Sequence, residues 1–125
     1  MKAVALDHLV LEVADVDRSL AFYHDLLGLE PERLDAYRAG EVGFPSVRVG
    51  ALLIDLFLSA HPGPGPNHFC VEVDVPAGEM VAALDAGGWA HGEVARRWGA
   101  RGEGLSVYVQ DPDGHQVELR TYLGP

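Results

Sequence analysis

The chain has 125 residues, enough for one ordinary domain or for two small units sharing a core. A composition 48% hydrophobic and 22% charged is that of a globular protein and excludes a disordered one, and no apolar run approaches the roughly 20 residues that span a bilayer. The formal net charge of −10 argues against nucleic acid as a partner, because phosphates demand clustered Lys and Arg. The opening MKAVALDHLV meets an acidic residue too early to carry an apolar leader, so a cytosolic location is expected. A single cysteine, Cys70, allows no intrachain disulfide and fits a reducing compartment; within its apolar run it reads as a small core residue rather than a nucleophile.

The first strand is DHLVLEV, residues 7 to 13. Period-two alternation puts His8, Val10 and Glu12 on one face and Leu9, Leu11 and Val13 on the other. In the following ADVDRSLAFYHDLLGLE, Leu20, Tyr23 and Leu27 make an apolar helical stripe. Asp15 or Asp17 can cap that helix, and Gly28 can supply its left-handed stop. PSVRVG (45 to 50) and ALLIDLFLS (51 to 59) read as paired strands, with Ile54, Leu56 and Leu58 opposite Asp55 and Phe57. The Gly/Pro-rich SAHPGPGP (59 to 66) is a linker.

A second series then begins. NHFCVEV (67 to 73) reads as a strand, and DVPAGEMVAALDAGGWA as a helix with Met80, Val81 and Leu84 inward and Gly87 and Gly88 at its end. GEVARRWGARGEG (92 to 104) reads as a loop carrying Arg96, Arg97 and Arg101, three of the nine basic residues. Such a loop is either a flap that attracts an anionic substrate or a solvated connection, with Trp98 over a cavity or at a subunit contact. The chain closes with the strand LSVYVQ (105 to 110), the turn DPDG (111 to 114) and the strand HQVELRTYL (115 to 123).

These two series repeat each other. His8 falls over His68, Glu12 over Glu72, Ser46 over Ser106 and Arg48 over Tyr108, each at an offset of 60 residues. Asp55 falls over Glu118 at an offset of 63, because the DPDG turn is the longer one. The reading is an α+β fold of two modules, about 5–58 and 67–123, each a strand, a helix and about three more strands, packed around a shared sheet. In every strand one face is apolar and belongs under the helices. The opposite face carries His8, Ser46, Arg48, Asp55, His68, Ser106, Tyr108 and Glu118, which suits a polar-lined concavity better than an open surface. Two imidazoles and two carboxylates in equivalent places suggest a site for Zn, Ni, Mn, Fe or Co rather than Ca, which prefers oxygen alone. His24, His61, His91 and His115 have no repeat partner and read as surface residues.

The segments DHLVLEVADVDRSLAFYHDLLGLE and VYVQDPDGHQVEL resemble the opening and closing signatures of the vicinal oxygen chelate superfamily, which includes glyoxalase I, extradiol dioxygenases, fosfomycin-resistance thiol transferases and bleomycin-binding proteins. The resemblance covers essentially the whole chain and implies two tandem βαβββ modules, mostly antiparallel, cupped around one divalent transition metal. By position, the family's His, His and Glu ligands fall on His8, His68 and Glu118. Bleomycin-binding members generally lack this set, which favours an enzyme. Where glyoxalase I has a fourth ligand, usually Glu, this chain has Asp55, shorter by one methylene and able to hold a metal-bound water. The resemblance implies a small oxygen-bearing substrate and a homodimer. Glu118 or Asp55 would move the proton in a glyoxalase-like isomerisation, and His8, His68 and Glu118 would serve as the iron set in a dioxygenase. Arg48, Ser106 and Tyr108 are the candidate substrate contacts; Ser106 and Tyr108 match phosphonate-holding positions of the fosfomycin enzymes. The alternatives are thiol transfer of that type and a non-catalytic protein that sequesters a toxin or ligand.

Overall fold

Strand β1, Ala3–Val13, is followed by α1, Val16–Leu20, because Asp15 stops the extended run: its carboxylate accepts from the Arg18 amide at 3.0 Å. A computed structural model describes residues 1–26, 28–110 and 116–125 of the chain. Past Leu20 the helix widens into π-type turns over Ala21–Leu26, and Gly28 then takes φ 73°. Leu27 of the expected stripe, the DPDG turn and His115 lie outside the described residues.

The chain divides into two compact units: His8–Asn67, and Met1–Asp7 together with His68–Pro125. In the first unit, β2 (Glu30–Glu32), the short helix α2 (Leu34–Arg38), β3 (Ser46–Val49) and β4 (Leu52–Leu58) follow α1. β1 pairs with β4 in parallel, and β4 with β3 and β3 with β2 antiparallel. A parallel pair needs a crossover, which the intervening helix begins. Val16 and Leu20 of α1 bury against Val47 and Leu56, with Val13, Tyr23 and Ile54 packed around them.

In the second unit, β5 (Pro66–Val73, entered by His68) leads to α3 (Ala77–Gly87), β6 (Ala95–Gly99), β7 (Gly102–Gln110) and β8 (Gln116–Thr121). The pairing repeats: β5 with β8 in parallel, β8 with β7 and β7 with β6 antiparallel. Ala77, Met80 and Leu84 bury one stripe of α3 against Val73 and Val107, and Gly88 ends it at φ 71°. The first residues of β1 lie at the end of β5, where the Asp74 amide donates to the Lys2 carbonyl at 3.0 Å. The class is α+β, with antiparallel pairs outnumbering parallel ones.

One sequence expectation is corrected here. Residues 92 to 104 are not a loop: Ala95–Gly99 form β6, in register with β7 through Ala95↔Ser106 and Arg97↔Gly104. The glycines at 99 and 102 flank a tight hairpin turn at Ala100 and Arg101.

Candidate functional site

Strand register decides which side chains meet. In the first unit Val10 stands opposite Asp55, and Asp55 opposite Ser46, so His8, Val10, Asp55 and Ser46 share the face turned away from α1. That face is buried: His8 is 2% exposed, Asp55 1% and Ser46 0%. The Ser46 hydroxyl donates to Asp55 Oδ1 at 2.5 Å, and Asp55 Oδ2 lies 3.9 Å from His8 Nε2. Arg48 does not join them: its Nε and Nη2 donate to the Glu32 carboxylate, and Nη1 reaches the Ala51 carbonyl at 3.5 Å.

In the second unit Cys70 stands opposite Glu118, and Glu118 opposite Tyr108. His68 Nε2 lies 3.4 Å from Glu118 Oε2, with both side chains almost fully buried. Tyr108 Oη is 3.4 Å from the same imidazole nitrogen, the two rings meeting edge-on at 5.1 Å. Burial, reinforced by the Glu118 carboxylate, pushes the Tyr108 phenol up to about 12, so it keeps its proton throughout the physiological range. Arg97 lies over the Tyr108 ring at 4.8 Å and donates to the Ser106 hydroxyl at 3.0 Å and to its carbonyl at 2.8 Å. Ser106 is therefore buried as a support for Arg97. Cys70 is fully buried, as a lining residue should be. A cavity of about 500 Å³ opens beside Tyr108, walled by Trp89, His91, Gly92, Gln110 and Gln116.

Two residues passed over in the sequence complete this half. Arg120 is wholly buried and donates from Nη2 to Glu118 Oε1 at 2.9 Å. Burial alone would lower the proton affinity of its guanidinium, but Glu118 and the other negative groups around it raise it, so the cation persists. Asp7 accepts from the Tyr122 hydroxyl at 2.6 Å and lies 3.8 Å from Arg120 Nε. The available signal was alternation: Arg120 is two residues beyond Glu118 and must share its face. Of the remaining histidines, His61 is exposed, whereas His24 is half-buried and donates from Nδ1 to the Leu29 carbonyl at 2.8 Å. His91 is likewise held, its proton affinity raised by the Gly92 carbonyl and then by Asp85.

Each unit thus buries one imidazole beside one carboxylate, His8 with Asp55 in the first and His68 with Glu118 in the second. Imidazole with carboxylate is also the donor chemistry of borderline divalent metals, so the residues present fit such an ion.

Residues 5–119 match the family model described as the Glyoxalase/Bleomycin resistance protein/Dioxygenase superfamily. A probable lactoylglutathione lyase of Synechocystis is 31% identical over 123 residues, which is 90% of this chain and 91% of that protein. Methylmalonyl-CoA epimerase from Mycobacterium tuberculosis has a similar fold, with TM-score 0.68 and 22% identity over 95% of this chain and 88% of the other. A Mn(II)-bound glyoxalase from Novosphingobium aromaticivorans superposes with TM-score 0.73 at 20% identity, over 98% of this chain and 40% of that one. No described helix is long and apolar enough to cross a membrane.

Proposed function

Since the chain belongs to the glyoxalase/bleomycin resistance protein/dioxygenase superfamily, we propose that it is an enzyme dependent on one divalent transition metal, with His8, His68 and Glu118 as ligands, and that it moves a proton between adjacent carbons of a small oxygen-bearing substrate. The observation that carries this reading is the pairing found once in each unit: a buried imidazole facing a buried carboxylate, His8 with Asp55 and His68 with Glu118. A divalent ion held by these residues would supply a Lewis acid for the oxygens of the substrate.

The chain's own residues divide the remaining work. Glu118 Oε1 is held by Arg120, which leaves Oε2, on the His68 side, to serve as ligand. Asp55 is then the proton carrier: Ser46 fixes Oδ1, and Oδ2 takes the proton from one substrate carbon and returns it to the next. Tyr108, protonated below about pH 12, donates a hydrogen bond to substrate oxygen from beside His68. Arg97, lying on the Tyr108 ring, adds positive charge for an anionic substrate. Arg48, engaged by Glu32, has a smaller part than its position in the sequence suggested.

The relative named as a probable lactoylglutathione lyase favours isomerase or lyase chemistry over ring cleavage. Extradiol dioxygenase chemistry is the second reading, because two His and one carboxylate also suit Fe(II) with open positions. Thiol transfer of the fosfomycin type has weaker support, since Ser106 is occupied by Arg97.

Metal analysis of the purified protein tests the proposal. Stoichiometric Zn, Ni, Mn, Co or Fe is expected, lost in His8→Ala and in His68→Ala with the fold retained by circular dichroism. Turnover of a hemithioacetal marks the isomerase, and turnover of a catechol by the iron form marks the dioxygenase. A metal-free protein whose small-molecule binding survives both substitutions is a sequestering protein instead. A homodimer belongs to the same reading, and sedimentation velocity tests it.

A further inference from the structure

The second unit contains a buried ionic cluster that ligand binding alone does not require. Arg120 is 0% exposed, yet its donors are distributed with care. Nη1 donates to the Arg97 carbonyl at 2.8 Å, and Nη2 to the Trp98 carbonyl at 2.8 Å and to Glu118 Oε1 at 2.9 Å. Nε makes no hydrogen bond and lies 3.8 Å from Asp7 Oδ1. Asp7 is itself fixed by the Ala100 amide at 3.0 Å and by the Tyr122 hydroxyl at 2.6 Å. The edge strand β6 has therefore been shaped to hold a guanidinium, with two consecutive carbonyls aimed at it.

Gly99 makes room for this arrangement. A Cβ there would stand 2.6 Å from Arg120 Cζ, 2.6 Å from its Nη1 and 2.6 Å from Asp7 Oδ1. Every residue other than glycine would push the guanidinium, the carboxylate or both out of place. The need is for space, because the backbone at Gly99 is ordinary extended chain.

We propose that Arg120 is a positioning residue: seated by the β6 carbonyls, anchored by Asp7 and admitted by Gly99, it holds Oε1 of Glu118 so that Oε2 alone is presented as a ligand. This rests on the reading of Glu118 as a metal ligand. A free carboxylate can bind an ion through one oxygen or through both, and rotation about its last bond interconverts them. A guanidinium that is charged at every working pH and held at three points removes that choice. A purely structural role, neutralising Asp7 within the core, would require no contact with Glu118.

The test is Mn(II) affinity, by calorimetry and by the loss of the free-ion electron paramagnetic resonance signal, for the wild-type chain, Arg120→Lys and Gly99→Ala. Lysine keeps the charge but lacks the fork, while Gly99→Ala keeps every charged group and displaces the guanidinium. Each is expected to bind Mn(II) about 10–100-fold more weakly, the usual cost of losing a partner that orients a ligand. The visible spectrum of the Co(II)-loaded protein should also change in band position and intensity as Glu118 gains freedom. A stability loss alone would not move that spectrum. If both variants fold and keep wild-type Mn(II) affinity and Co(II) spectrum, Arg120 has no positioning role. If the wild-type chain takes up no Mn(II), the assignment of Glu118 as a ligand fails first, and the role of Arg120 falls with it.

Discussion

The two units present equivalent carboxylates and hold them by different means. Asp55 is held by a neutral hydroxyl, Ser46, with His8 at 3.9 Å. Glu118 is held by a buried guanidinium, Arg120, with His68 at 3.4 Å. Ser46 and Ser106 are repeat partners, yet one donates to the carboxylate and the other accepts from Arg97. Arg48 and Tyr108 are also partners, yet one is drawn off to Glu32 and the other stays beside the imidazole. A shared strand register therefore fixes where a side chain points, whereas its bonding partner depends on residues outside the repeat. On the proposed reading, the carboxylate fixed in the second unit is the ligand and the one in the first unit carries the proton.

The largest expected effect tests the equivalence itself. His8→Ala and His68→Ala should each lower divalent metal affinity by more than about 100-fold, beyond the range for a merely orienting partner. A loss confined to His68→Ala would break the symmetry and leave the ion to the second unit alone. Arg120→Met comes next: removing one member of a buried ionic cluster should cost about 3–5 kcal/mol in urea denaturation. Ser46→Ala should cost about 1–3 kcal/mol, because only a neutral hydrogen bond to a buried carboxylate is lost. Equal costs for the two would show that charge makes no difference between the halves.

The smallest effect concerns pH. Tyr108 and Tyr122 are both pushed up to about 12, Tyr122 by burial and then by Asp7. A phenol whose folded value lies above its unfolded value of about 10 contributes stability in full below pH 10. That contribution is lost as pH rises from 10 towards 12. Absorbance at 295 nm should show late ionisation that Tyr108→Phe reduces, whereas Arg48→Ala, at the equivalent place in the first unit, should leave it unchanged.

Much of this was readable in one chain without its coordinates. The echo of DHLVLEV in NHFCVEV located the first strand of each series, and alternation put His68 and Glu118 on one face. Gly88 ended the second helix where expected. What escaped notice depends on partners remote in sequence. Arg97 looked like part of a solvated loop because β6 is a strand only through its pairing with β7. Arg120 does not stand out in the sequence, because nothing near it announces Asp7 or the space at Gly99. Ser106 seemed open to a ligand until Arg97 was found on it.

The division of β1 between the units bears on how the chain folds as it is made. Residues Met1–Asp7 are made before His8–Asn67, but they belong with His68–Pro125, and Asp7 bonds to Tyr122 across 115 residues of sequence. His8–Asn67 can close early over short loops, while the seven residues ahead of it must wait for nearly the whole chain to be synthesised.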